Sequence, residues 1–337
     1  MANFKRVLVT GGAGFIGSNY VRLARNRHPE WEIVVLDKLT YAGNPENLEA
    51  VRDRITFVHG DIANPDDVTR AMDGCDAVVN FAAESHVDRS LMDSRPFIKT
   101  NVEGTLVLLE GARRFGVKRF LHVSTDEVYG DVFGTERLSV EADRFAPRSP
   151  YAASKAAAEH LVHSYGISHS LDVVITRGSN TYGPFQYPEK IIPLFITNVL
   201  EGKALPVYGK GTAVRDYMHA EDHCGGIDRV LHYGKTGEAY NVGARMEVPG
   251  LEVAQRILKL LGKSDDMIQY VADRPGHDYR YAVDPSKTEA LGWERQWTWE
   301  DGLAQTVHWY VENEGWWRRV KEKRHFQEHE ATWYAKR

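Results

Sequence analysis

Two pairs of residues in this sequence have the chemistry to move protons. In YAASK, Tyr151 and Lys155 stand four apart and so share one face of a helix. A phenol ionises near pH 10, and bringing it to neutrality takes roughly 4 kcal/mol of preferential stabilisation of the phenolate. A neighbouring ammonium and a cationic cofactor ring could supply that. In STDEVYG, Asp126 and Glu127 are adjacent. Inside a regular strand, neighbouring side chains point to opposite faces of the sheet, so both acids can serve one site only where the strand has ended.

A third constellation handles phosphate. The run VLVTGGAGFIGSNYV spaces Gly11, Gly14 and Gly17 as GxxGxxG between an apolar strand and an amphipathic helix. The early glycines let backbone approach a pyrophosphate, the last lets helix pack closely on strand, and the helix N-terminus presents free N–H groups. Asp37 ends the next apolar run, twenty residues after Gly17, where a dinucleotide fold places the acceptor for the adenosine ribose. A carboxylate there favours NAD, because a 2′-phosphate would meet like charge. Lys38 beside it is the one feature in favour of NADP.

The elements that must position these groups are legible as alternation. Short β-branched runs RVLVT, EIVVLD, ITFVH, DAVVNF, KRFLHVS and DVVITR are separated by stretches of helical spacing. Continuously apolar strands are covered on both faces, so the fold class is α/β: a doubly wound parallel sheet, or Rossmann domain, over residues 1–180. From 181 to 317 the rhythm loosens into Pro-, Gly- and Tyr-rich segments expected of a smaller substrate-binding lobe, with some segments returning to the first domain. Residues 318–337 read as a charged C-terminal tail, a solvated helix or frayed end.

Composition narrows the function classes. A net charge of −5 with 42% apolar residues argues against disorder and against a nucleic-acid partner. The two cysteines, Cys75 and Cys224, are too few for a disulfide framework, and no stretch approaches the ~18 apolar residues of a spanning helix. A cytoplasmic protein with no membrane association is expected. In HAEDHC, His219 and His223 with Cys224 have a spacing that could hold zinc, but Asp222 reads better as a helix cap, and no metal is expected.

The motifs GGAGFIG, LDKLTYAGN, GDI, NFAAESHVDRS, STDEVYG, SPYAASKA, SNTYGP, PEKIIP, PVYGKG, VRDY and ADRPGHD occur in an order that resembles the extended short-chain dehydrogenase/reductase family, over the chain to about residue 315. Within it the Asp-Glu pair is similar to the branch that removes water from nucleotide sugars. The resemblance implies a lyase that converts dTDP-glucose to its 4-keto-6-deoxy product with NAD as a retained cofactor. It implies that the strand KRFLHVS ends near Ser124, so that both acids face the sugar. Tyr151 would take the C4 hydroxyl proton as hydride leaves C4, with Thr125 bonded to the same oxygen and Lys155 beside them. Glu127 would remove the C5 proton, protonated Asp126 would deliver a proton to the departing C6 hydroxyl, and hydride would return to C6.

For the cofactor, the resemblance adds Phe15 and Ile16 at the glycine loop, Lys38, Leu39 and Thr40 after Asp37, Asp61 and Ile62 by the adenine, and Phe81, Ala82, Ala83 and Thr100 along the pyrophosphate side. For the nucleotide sugar it implies Lys190, Arg215 and Arg274 as cations, Ser85, Asn180 and His277 as hydrogen-bonding partners, and Pro206, Val207 and Tyr208 against the base. Thr181 and Met246 depart from the pattern, where amides are expected. Helices 94–115 and 151–168 resemble a dimer-forming pair, so a homodimer is expected. A UDP-glucose 4,6-dehydratase and a UDP-sugar 4-epimerase are the rival enzymes; a non-catalytic dinucleotide sensor is the rival from another class, though it would have no use for Tyr151, Lys155 and both acids together.

Overall fold

A computed structural model describes residues 4–273, 278–324 and 326–327. Six strands alternate with helices through the first half: β1 (Arg6–Thr10), β2 (Glu32–Asp37), β3 (Ile55–His59), β4 (Ala77–Asn80), β5 (Arg119–Thr125) and β6 (Val173–Gly178). Three more, β7 (Asn180–Tyr182), β8 (Leu205–Tyr208) and β9 (Val214–His219), lie outside that layer. The chain then returns to it with β10 (Ala239–Val242) before β11 (Glu247–Pro249), β12 (Ile268–Val271) and β13 (Arg280–Tyr281).

The large sheet is parallel throughout, in the order β3-β2-β1-β4-β5-β6-β10. Its central strands are apolar on both faces along most of their length because each face packs on helices. Val7, Val9, Ile33 and Val35 meet Tyr20, Ala24 and Ile227 on one side. Leu8, Val34, Leu36 and Val78 meet Val68, Leu108 and Leu109 on the other. The order reverses between β1 and β4, which opens a crevice at the carboxyl ends of these strands. Strand β9 anchors the second lobe, pairing with β7, β11 and β13, while β8 and β12 form a separate ribbon.

That lobe has its own core, and within the segment read as a solvated tail it takes in Val320, Lys321 and Phe326; residues 325 and 328–337 lie outside the described residues. The helix Glu314–Glu322 buries Trp316, Trp317 and Val320 against Ile192, Phe195, Ile257 and Tyr310, and Phe326 joins the same cluster. The indole N–H of Trp317 donates to the Tyr310 carbonyl at 2.9 Å. Charge on this segment is consistent with burial because it is paired or turned outward: Lys321, itself buried, donates to Glu201 at 2.8 Å, and Arg319 pairs with Glu46 at 2.6 Å. Deleting the Trp317 side chain should therefore behave as a core cavity. Trp317→Ala is expected to cost about 3–5 kcal/mol, measured by urea denaturation; an unchanged midpoint would return this helix to the surface.

Candidate active site

The glycine loop is fixed by close approach. Gly11 has φ +66°, and a Cβ there would stand 2.6 Å from the Ala82 amide nitrogen; a Cβ on Gly17 would stand 2.2 Å from the Gly11 carbonyl oxygen. Gly14 caps the helix Phe15–Arg27 with no side-chain bond to its first amides, leaving them for an anion. A cavity of about 280 Å³ opens over this loop, with Gly11, Gly14, Phe15, Ile16 and Gly17 on its floor. Asp37, Lys38, Thr40, Asp61 and Ile62 form one end, and Phe81, Ala82, Ala83 and Thr100 the middle. Leu39 is absent from the wall: with φ +54° its N–H donates to the Asp37 carboxylate at 2.8 Å and its side chain packs on the core beneath.

Asp37 also accepts the Ala13 amide at 2.9 Å, so its carboxylate is held by the loop it serves, with lone pairs remaining toward the cavity. Lys38 is spoken for. Its ammonium lies 2.7 Å from Asp61, whose carboxyl is pushed up by burial but held below the usual range by Lys38. A 2′-phosphate at this end would face Asp37 and an already paired lysine, which removes the argument for NADP.

At the other end, β5 runs one residue further than expected, to Thr125, and then turns. Thr125 caps the short 3₁₀ turn Asp126–Tyr129, accepting the Glu127 amide at 3.3 Å. Thr125, Asp126 and Glu127 all line the cavity, as do Tyr151 and Lys155 from one face of the helix Pro150–His169. The neighbouring acids thus share one site because the strand has ended. Asp126 is buried, receives the Thr125 hydroxyl at 3.3 Å, and keeps its second carboxylate oxygen without a protein partner. Burial, and then the charge of Glu127, raise its carboxyl well above the aspartate range.

Tyr151 is likewise raised by burial and by Glu127, with the Thr125 hydroxyl pulling the other way. Lys155 bonds the Val123 carbonyl at 2.6 Å and approaches His122 Nε2 at 3.4 Å. Burial lowers its ammonium to about 8, with Glu159 resisting.

A π-helical segment, Ile98–Gly104, brings Thr100 to the cavity. It also aims Asn101 so that its side-chain N–H donates to the Glu84 carbonyl at 3.0 Å and to Ser154 Oγ at 2.8 Å. That contact ties the end of β4 to the helix that carries Tyr151 and Lys155.

A second chamber of about 180 Å³ adjoins the first and shares Glu127, Asn180, Glu189 and Lys190 with it. Pro206, Val207 and Tyr208 of β8 and Arg215 of β9 lie on its far wall. The Arg215 guanidinium sits 4.7 Å from the centre of the Tyr281 ring and donates to the Asp278 carbonyl at 2.7 Å. Lys190 donates to the Ser85 carbonyl at 3.2 Å, and Ser85 itself lines the first chamber. Arg274 and His277 lie outside the described residues. The zinc spacing in HAEDHC is used otherwise: His219 lies 3.2 Å from Gln305 and His223 lies 2.7 Å from Thr181.

Comparison with known proteins agrees with this arrangement. Residues 8–306 match the GDP-mannose 4,6 dehydratase family. A dTDP-glucose 4,6-dehydratase of Streptomyces niveus is 49% identical, covering 94% of this chain and 96% of its own. An Escherichia coli dTDP-glucose 4,6-dehydratase is 47% identical over 94% of this chain and 95% of its own. The crystal structure of the Streptomyces venezuelae dTDP-glucose 4,6-dehydratase with NAD superposes with a TM-score of 0.91, at 49% identity over 94% of this chain and all of that one. The chain belongs to the dTDP-glucose 4,6-dehydratase family.

Beside the family motifs stand wall residues that sequence reasoning passed over. Glu189 is buried at the junction of the chambers and accepts from Arg89 at 2.9 Å, while Arg89 also covers the Tyr41 ring at 4.1 Å. Tyr41, Arg89 and Glu189 all fall inside motifs quoted above; only their meeting in space was hidden. The raised carboxyl of Asp126 carries a pH signature. Its native state holds the proton more tightly than the unfolded chain, so stability is lost as pH rises from the ordinary aspartate range towards the folded value. Asp126→Asn, which stays neutral, should raise the stability of the ligand-free protein at pH 7–8 by on the order of 1 kcal/mol. Urea titrations should show that gain shrinking towards zero near about pH 4.

Proposed function

We propose that this chain removes water from dTDP-glucose to give dTDP-4-keto-6-deoxyglucose, with NAD as the cofactor it retains. The observation that carries the reading is the pair Asp126 and Glu127 at the end of β5, beside Tyr151, with Glu127 bordering both chambers. The glycine cradle, which any Cβ would fill at Gly11 and Gly17, fits a dinucleotide pyrophosphate. NAD held there would supply the hydride acceptor for C4 and donor for C6, and its ring charge would draw Tyr151 towards phenolate.

Tyr151 takes the proton of the C4 hydroxyl, whose oxygen Thr125 also holds. Oxidation at C4 acidifies C5; Glu127 removes that proton, and C5 takes a proton back as hydride adds to C6. Asp126, kept protonated by burial and by the charge of its neighbour, donates to the departing C6 hydroxyl. Arg215 and Lys190 pair with the diphosphate, and Tyr208 offers its ring to the base. An epimerase has no C5 proton to move and no use for two acids here.

Incubation with dTDP-glucose should yield the ketosugar, and deuterium on C4 should reappear in the C6 methyl group; exchange of that label into solvent would overturn the reading. Glu127→Gln should stop after the first oxidation, seen as reduced cofactor accumulating without product. Tyr151→Phe should lower kcat by about 10²–10⁴. Comparing dTDP-, UDP- and CDP-glucose fixes the base.

We also infer a homodimer in the cytoplasm. Ile98 and Ile167, 53% and 72% exposed, lie on the two helical segments expected to pair with a second copy. Cys75 and Cys224 are free and buried, and among the described residues no helix is long and apolar enough to cross a membrane. Ile98→Glu with Ile167→Glu should shift sedimentation to monomer.

A further inference from the structure

The edge of the sheet opposite the cleft gathers three side chains that neither chamber uses. Among the described residues, His28, Asp228 and His232 each bring a ligand atom within 4.8 Å of the other two. Asp228 and His232 stand one turn apart on the helix Ala220–Tyr233, and His28 caps the C-terminus of the helix Phe15–Arg27. Both helices pack on the same face of the large sheet. The group lies a helix length, about 20 Å, from the glycine loop at which the first of them starts. Phe4 and Trp31, which stand just ahead of β1 and β2, pack on these histidines and mark the edge where the strands begin.

The three side chains converge as ligands do. Asp228 divides its carboxylate: Oδ2 accepts from Arg27 Nη1 at 3.3 Å, and Oδ1 faces His28 Nε2 at 3.0 Å and His232 Nε2 at 3.9 Å. Zinc held by two imidazoles and a carboxylate at about 2.0–2.2 Å sets its ligand atoms roughly 3.3 Å apart, which these two distances bracket. The third gap, at most 4.8 Å, is closed by His28, the least enclosed of the three with its side chain 15% exposed against 8% and 6%. The outer partners are also present. Arg27 holds the second oxygen of Asp228, and Glu30 lies 3.9 Å from His28 Nδ1, where ligating histidines commonly use a carboxylate. The His28 ring stacks on Trp31 at 4.0 Å, and Phe4 and Trp31 lie 5.8 and 5.5 Å from the His232 ring, so both imidazoles stand against an apolar wall. Two helices also end here, and helix C-termini favour positive charge.

We propose that His28, Asp228 and His232 form a site for a divalent transition ion of the zinc class, which staples the two helices together at the edge of the sheet opposite the cleft. The ion takes the place of the proton in the His28–Asp228 bond, and solvent completes its coordination. Two imidazoles and one carboxylate suit zinc, cobalt or nickel; magnesium and calcium call for more oxygens. The sequence expectation of no metal weighed only HAEDHC, which lies on the right helix but at its wrong end. The second pair, Asp228 and His232, becomes a site only through His28, some two hundred residues away.

The test uses the untagged full chain, freed of metal by a chelator and titrated calorimetrically with Zn²⁺. One equivalent should bind with a Kd below about 10 μM. His28→Gln and His232→Gln should each weaken that binding by at least about tenfold, the least that loss of even an outer partner costs a metal site. His308→Gln, at the exposed pair His308 and Glu312 3.1 Å apart, should leave it unchanged. Zn²⁺ should also raise the melting temperature of the wild type, and of neither ligand variant. A weaker site, or one that survives both ligand variants, would overturn the proposal. Should the variants fail to fold, crystals of the wild type grown with one equivalent of Zn²⁺ decide. Anomalous density at the zinc edge among the three side chains supports the site; density only elsewhere, or none, overturns it.

Discussion

A buried ion pair sets the spacing of everything that reacts. Arg177, in β6, donates through Nη2 and Nε to Glu159 at 2.8 and 3.0 Å. Glu159 lies one turn beyond Lys155 on the helix that carries Tyr151. The same guanidinium donates through Nη1 to the Tyr129 hydroxyl at 2.7 Å, at the end of the turn that presents Asp126 and Glu127, and Tyr129 in turn donates to Asn241 of β10. One planar cation therefore joins two strands, the helix that carries Tyr151 and the acid-bearing turn. Such a pair adds little net stability over an apolar substitute, but removing one partner costs about 3–5 kcal/mol because the other is left charged in the interior. Its worth here is geometric, since a fork of fixed donors holds angles as well as distances. It is also electrostatic, because Glu159 opposes the burial that would discharge Lys155.

Within that frame, burial assigns roles. Asp126 and Glu127 differ by one residue and by environment: the first is enclosed, the second reaches the junction between chambers. Two carboxyls so close cannot both ionise cheaply, and the enclosed one keeps its proton. The nucleotide end follows similar logic. The Lys38–Asp61 pair and the amide-bonded Asp37 engage Lys38 and leave a carboxylate where an extra phosphate would lie, so the local charges favour NAD.

The parts of this molecule legible in its sequence are those whose physics is local. Glycine spacing, an acid at the end of the following strand, Tyr151 and Lys155 on one helical face, and six continuous apolar runs all announce themselves within a few residues. The parts that escaped depend on long-range pairing. Lys38 looked available because its partner lies past the end of the next strand. Leu39 was grouped with the cofactor wall, yet a left-handed backbone turns it inward. His223 read as half of a metal pair because four-residue spacing says nothing of Thr181, 42 residues away. The start of the charged C-terminal segment escaped for a related reason: its charges outnumber Val320 and Phe326, which nevertheless join Trp316 and Trp317 in one core.

That last helix reaches further than the lobe it completes. The Trp316 indole donates to the Asn47 side chain at 2.9 Å, and Asn47 donates to the Ala13 carbonyl inside the glycine loop at 2.9 Å. A nascent polypeptide emerges with the loop at its head and this brace some three hundred residues behind, and domains form in the order they leave the ribosome. The nucleotide cradle is thus shaped early but locked late, so a truncated translation product would carry every glycine of the fingerprint without the strut that steadies them.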